Sequence, residues 1–133
     1  MTTTDNNYYA EGLTSLYFLL ICADRTIDTR ELDMGRKMID IEKIDVDYFY
    51  SNIDRYSSEP DKHIYNTCIQ SLKNCTETER IRSLAWMKLI ANSDGDLDNK
   101  EFELIQDICI NEFKLSLDQV LKGEKEIRAE LKS

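Results

Sequence analysis

The sequence predicts an all-α fold of about seven helices in two pseudo-symmetric repeats, a helical bundle without strands. Three observations carry that expectation. Only 4 glycines and 1 proline occur in 133 residues, too few for the tight turns of a many-stranded protein. Apolar residues recur with a helical period along most of the chain. Finally, the segment Leu19 to Leu32 falls onto Leu89 to Phe102 at an offset of 70, matching carboxylates and core-type positions. The register continues through Met34 with Leu104 and Met38 with Ile108. After a one-residue slip, Ile44-Asp45-Val46-Asp47 meets Leu115-Ser116-Leu117-Asp118.

Each element has its own start signal. Leu13, Leu16, Tyr17, Leu20 and Ile21 mark the apolar face of a first helix, from about Asn6 to Ala23. Asp28-x-x-Glu31 is a capping box, in which side chains at both ends satisfy free backbone N–H groups, and it starts a second helix. Asp45 caps a short third helix that reaches about Tyr56. Pro60, with its fixed φ and no N–H to lose, suits the first turn of a fourth, covering about 60–75. Thr76-x-x-Glu79, Asp98-x-x-Glu101 and Ser116-x-x-Gln119 open the last three. On the final helix Lys122, Lys125, Arg128 and Lys132 alternate with Glu124, Glu126 and Glu130, which reads as a salt-bridged exposed face. Residues 1–133 thus read as one domain with halves of about 6–56 and 77–131 joined by the helix at 60–75. The connections are short, so sequential helices are expected to pack as antiparallel hairpins.

Charge and cysteine usage narrow the function. Asp and Glu total 26 against 17 Lys and Arg, a net charge of −9. Nucleic acids and anionic membranes are polyanions that select basic clusters, so no nucleic-acid partner is expected; an acidic surface prefers cations or basic protein partners. Cys22, Cys68, Cys75 and Cys109 form no Cys-x-x-Cys pair and have no histidine at zinc-ligand spacing, and they read as small buried hydrophobes. His63 is the sole histidine, at no triad spacing from a Ser or Cys, and no glycine-rich phosphate loop occurs, so no enzyme is expected. The longest apolar run, Leu16 to Ala23, is too short to span a bilayer, and the N-terminus has no basic leader. Cytoplasmic residence without membrane insertion is the expectation.

The strongest chemical signal lies at two elbows between helices. Each carries Asp-x-x-x-Asp-x-x-Glu: Asp24, Asp28 and Glu31, then Asp94, Asp98 and Glu101. Helix-start chemistry explains the last two members of each set. It does not explain Asp24 and Asp94, which sit where the preceding helix ends and its dipole disfavours negative charge. Asp94, Asp96 and Asp98 crowd three carboxylates into five residues, and at about 6 Å in water each pair repels by about 0.7 kcal/mol. A hard divalent cation would reverse that sign. The spacing is not that of an EF-hand, since Asn99 stands where the turn glycine is wanted and Ile105 where the bidentate Glu belongs. The candidate metal ligands are therefore Asp94, Asp96, Asp98 and Glu101, with Asp24, Asp28 and Glu31 as a poorer set. Weak binding is expected, of calcium or magnesium rather than zinc. The other reading keeps the same residues as helix caps alone, on a protein-interaction scaffold that holds no metal.

At these elbows Ala23-Asp24-Arg25-Thr26-Ile27-Asp28-x-x-Glu31 and Ala91-Asn92-Ser93-Asp94-Gly95-Asp96-Leu97-Asp98-x-x-Glu101 resemble the TerB-like superfamily. That superfamily includes a tellurite-resistance protein and the N-terminal region of a membrane-anchored DnaJ-type co-chaperone. The resemblance implies a fold of about seven helices in two related halves over nearly the whole chain. It implies a role in stress or tellurite resistance, metal binding by the acidic clusters, and a partner in assemblies near the membrane. Arg25 stands where the family often has glycine, which weakens the first set. No His-Pro-Asp tripeptide occurs, so J-domain activity does not reside in this chain.

Overall fold

The computed structural model describes residues 3–22, 29–93 and 99–132. Helices run in the order α1 (Thr3–Cys22), α2 (Thr29–Glu42), α3 (Val46–Tyr56), α4 (Asp61–Lys73), α5 (Glu77–Ala91), α6 (Asn99–Gln106) and α7 (Leu117–Leu131), with a π-helical segment, Asp107–Glu112, continuing α6. Among the described residues there is no strand. None of the described helices is long and apolar enough to cross a membrane. The all-α expectation of about seven helices holds.

Local chemistry sets most boundaries. Asp45 accepts a hydrogen bond from the Tyr48 N–H at 2.9 Å, and α3 ends at Tyr56. Thr76 with Glu79 and Ser116 with Gln119 form complete capping boxes. The capping positions Asp28 and Asp98 lie outside the described residues, which resume within α2 at Thr29 and within α6 at Asn99. Pro60 stands one residue before α4 rather than inside it, at φ −64° and ψ 143°. The first helix starts at Thr3, three residues before the expected start at about Asn6.

The ends of α2 and of the π segment are closed in related ways. Lys43 takes a left-handed conformation, φ 57°, and the Ile44 N–H returns to the Ile39 carbonyl at 3.0 Å, a Schellman closure. Lys114 does the same at φ 55°, and the Leu115 N–H returns to the Cys109 carbonyl at 2.8 Å, across one more residue. The extra residue is the one-residue slip of the sequence alignment, and the widened π turn accommodates it.

The main core draws on every helix, from Leu13, Leu16 and Leu20 through Met38, Phe49, Cys68 and Leu72 to Trp86, Ile90, Ile105, Ile108, Val120 and Ile127. Phe18, Tyr56 and Ile64 form a smaller cluster beside it. The packing partners differ from the hairpin expectation. α1 lies chiefly against α4, and α5 chiefly against α7, while the sequential pairs α1/α2, α2/α3, α3/α4 and α4/α5 touch little. A short connection fixes where two helix ends meet, but the partner is chosen by where apolar surface can be buried. α1 and α5 are apolar around most of their circumference, so each is central and takes several partners: α3, α4 and α5 on α1; α2, α6 and α7 on α5.

The last helix also departs from expectation. Glu124 is buried, where an exposed salt-bridged face was predicted; it receives the Arg128 guanidinium at 2.8 Å and faces Lys88 Nζ at 3.7 Å. Gly123 explains why. It lets α7 approach α5 so closely that a Cβ there would sit 3.2 Å from Ala85 Cβ, and the next residue is drawn inward with it.

Candidate functional site

The elbows lie between α1 and α2 and between α5 and α6. Of the sequence-predicted residues, Asp24, Asp28, Asp94, Asp96 and Asp98 lie outside the described residues. Glu31 and Glu101 are described, and both are 3 % exposed, in the first turns of α2 and α6. Two exposed cap residues would not need such burial. Each glutamate begins the buried stripe of its helix: Glu31, Gly35, Met38 and Ile39 on α2, and Glu101, Ile105, Ile108 and Cys109 on α6 and its π continuation. The acidic pattern therefore ends in the protein interior in both places. Among the described residues, no three His, Cys, Asp or Glu side chains gather as metal ligands.

One charged centre was not anticipated. Glu42, the last residue of α2, has a side chain only 7 % exposed. Its Oε1 accepts from the Tyr9 hydroxyl at 2.8 Å, and its Oε2 from the Trp86 indole N–H at 2.9 Å and from Arg82 Nε at 2.8 Å. Arg82 continues outward to Glu130 through two bonds of 2.8 and 3.0 Å. Partial burial works against the charge on Arg82, but its bonds to Glu130 and Glu42 outweigh that and raise its pKa. Burial, then Glu42 itself, raises the pKa of Tyr9, which stays protonated and donating. The site joins α1, α2, α5 and α7. A cavity of about 570 Å³ opens beside it, lined by Tyr9, Ala10, Glu42, Lys43, Ile44, Asp45 and Tyr48. The sequence did hold a signal for this centre, since Glu42 follows Met38 by four residues and so falls in the buried register of α2.

A second carboxylate pair converges at the π segment. The Tyr65 hydroxyl lies 2.8 Å from Asp107 Oδ2 and 3.0 Å from Glu112 Oε2. In an α-helix, residues five apart diverge by about 140°, and the wider π turn brings them toward one side. Arg80 fastens this region to α4: it donates to the Leu72 and Lys73 carbonyls at 2.8 and 3.0 Å and lies over the Phe113 ring at 5.3 Å.

The remaining reactive side chains are poorly placed for chemistry. Burial pushes the Cys68 thiol up to about 12 and raises those of Cys22 and Cys109, which disfavours the thiolate. His63 is mostly exposed, 3.5 Å from Glu59 in the turn that precedes α4.

Comparison with known proteins gives one match. The model of the family described as tellurite resistance protein TerB matches residues 10–120, from the middle of α1 into α7. No curated protein and no solved structure matches. With most of its length covered by that model, and with the helices it requires in place, this chain belongs to the TerB family.

Proposed function

We propose that this chain is a non-enzymatic TerB-type module, serving in a stress response or a protein assembly, whose acidic elbows hold a divalent cation weakly. The observation that carries the reading is the matched burial of Glu31 and Glu101. Each places a buried anionic oxygen in the first turn of a helix, next in sequence to an elbow that already carries two or three further carboxylates. Such an all-oxygen donor set suits calcium or magnesium better than zinc. Asp94, Asp96, Asp98 and Glu101 form the better set, and Asp24, Asp28 and Glu31 the poorer. The matching ends of α2 and of the π segment support a duplicated helical unit as the origin of the two elbows.

Thermal unfolding with calcium, magnesium, manganese or zinc, against chelator, tests the reading. A cation at about 100 times its Kd adds about 2.7 kcal/mol of stability. The double variant Asp94→Asn, Asp96→Asn should abolish the gain. If no metal shifts the transition at millimolar concentration, the cap-only scaffold stands instead. That alternative rests on the capping boxes that the sequence carries at Asp28-x-x-Glu31 and Asp98-x-x-Glu101. It requires Asp98→Ala to cost about 1 kcal/mol whether or not metal is present.

A further inference from the structure

Among the described residues, five large hydrophobic side chains are substantially exposed: Val46, Tyr50, Ile110, Leu117 and Leu121. Four of them occupy two equivalent places. Val46 and Leu117 are the first residues after the N-caps Asp45 and Ser116, and Tyr50 and Leu121 lie one turn further along α3 and α7. Residues four apart share a helix face, so each pair forms a short apolar stripe turned to solvent.

The charges flanking the two stripes are opposite. On α3 the exposed neighbours are Asp45, Asp47 and Asp54, with Lys43 at the near end; Arg55 is engaged by Glu59 at 3.0 Å. On α7, Leu117, Leu121, Lys125 and Arg128 fall within an arc of about 80° at 100° per residue, with Lys114 before the helix and Lys132 after it. Arg128 is shared with Glu124, Asp118 lies about 20° beyond Lys125, and Glu126 lies on the side of the helix opposite Leu117. In a chain of net charge −9, α7 thus carries a basic stripe beside its exposed leucines.

We propose that the α7 face of one copy docks on the α3 face of a second copy. Leu117 and Leu121 would meet Val46 and Tyr50, with Lys125 toward Asp54 or Asp47. Like on like is disfavoured, because it sets Lys125 near Lys125 or Asp54 near Asp54. As proposed, one such contact joins each pair of copies, so it is heterologous: each copy keeps one free face of each kind, and association continues past two. This arrangement does not depend on metal at the elbows.

Sedimentation velocity on the full chain, from micromolar to millimolar concentration, tests it. The weight-average mass should climb past that of a dimer, and salt should suppress the climb. Tyr50→Ser and Leu121→Ser alter exposed positions and should stay folded by circular dichroism. Each should weaken self-association about tenfold, equivalent to about 1.4 kcal/mol. Mixed together they should form a 1:1 pair and stop, since only one intact α3 face and one intact α7 face remain. A wild-type chain that stays monomeric, or stops at a dimer, overturns the proposal. So does association that Leu121→Ser leaves unchanged. Binding of the monomer to phosphatidylserine vesicles through Lys125, without self-association, would assign the α7 face to a membrane surface and overturn it as well.

Discussion

Glu42 shows how one residue can decide more than its position on a helix suggests. A carboxylate with so little exposure is stable only because Tyr9, Trp86 and Arg82 all donate to it. Removing a partner from such a group leaves a charge without compensation, and that loss exceeds what an exposed pair contributes. Arg82→Met should therefore lower stability by about 2–3 kcal/mol, just below the range of about 3–5 kcal/mol for a fully buried pair, because Arg82 itself reaches solvent. Glu130→Ala, at the exposed end of the same chain of bonds, should cost less than about 1 kcal/mol. Urea unfolding followed by Trp86 fluorescence separates the two, and equal effects would contradict the assignment of Glu42 as the centre. Glu31 and Glu101 are the other residues whose role changed between sequence and structure. Both were legible as caps or ligands from the spacing alone, but their burial was not, because a capping-box glutamate is ordinarily solvated.

Among the elements, the boundaries were largely readable and the partnerships were not. Asp45, Thr76 and Ser116 act within a few residues of themselves, so the starts of α3, α5 and α7 follow from local chemistry. The π segment was visible only as a one-residue slip, since nothing local marks where an inserted residue will be absorbed. Close crossings also escape the sequence. At Gly35, the buried Tyr17 ring of α1 reaches so near the α2 backbone that a Cβ would lie 2.6 Å from its hydroxyl oxygen and 2.7 Å from its Cζ. Alanine is a better helix former than glycine by about 1 kcal/mol, but overpacking against a fixed ring costs about 1–3 kcal/mol. Gly35→Ala should thus be destabilising, by up to about 2 kcal/mol. Gly123→Ala meets only side-chain carbons at 3.2 Å and should cost clearly less. Paired thermal melts check the order, and a larger loss at Gly123 would overturn this account of the two crossings.

For the whole molecule, the crosswise packing of the halves is the dominant fact. α2 packs on α5, and α6 reaches back to α1, so each half completes its core with a helix of the other. Neither a fragment of residues 1–59 nor one of residues 60–133 should fold alone; far-ultraviolet circular dichroism of each should show little helix, and mixing the two should restore it. A cooperative unfolding transition in either fragment by itself would refute this. The sequence alone determined the fold class, the starts of α3, α5 and α7, the paired acidic elbows and the likeness to the TerB family, because those depend on residue type and short spacing. Only the tertiary structure decided which helices pair, that Glu31, Glu101, Glu42 and Glu124 turn inward, and that α3 and α7 leave complementary apolar stripes outside. The physical reason is one of range. Capping and periodicity are settled within a turn or two of helix, whereas burial depends on the summed surfaces of segments far apart in the chain.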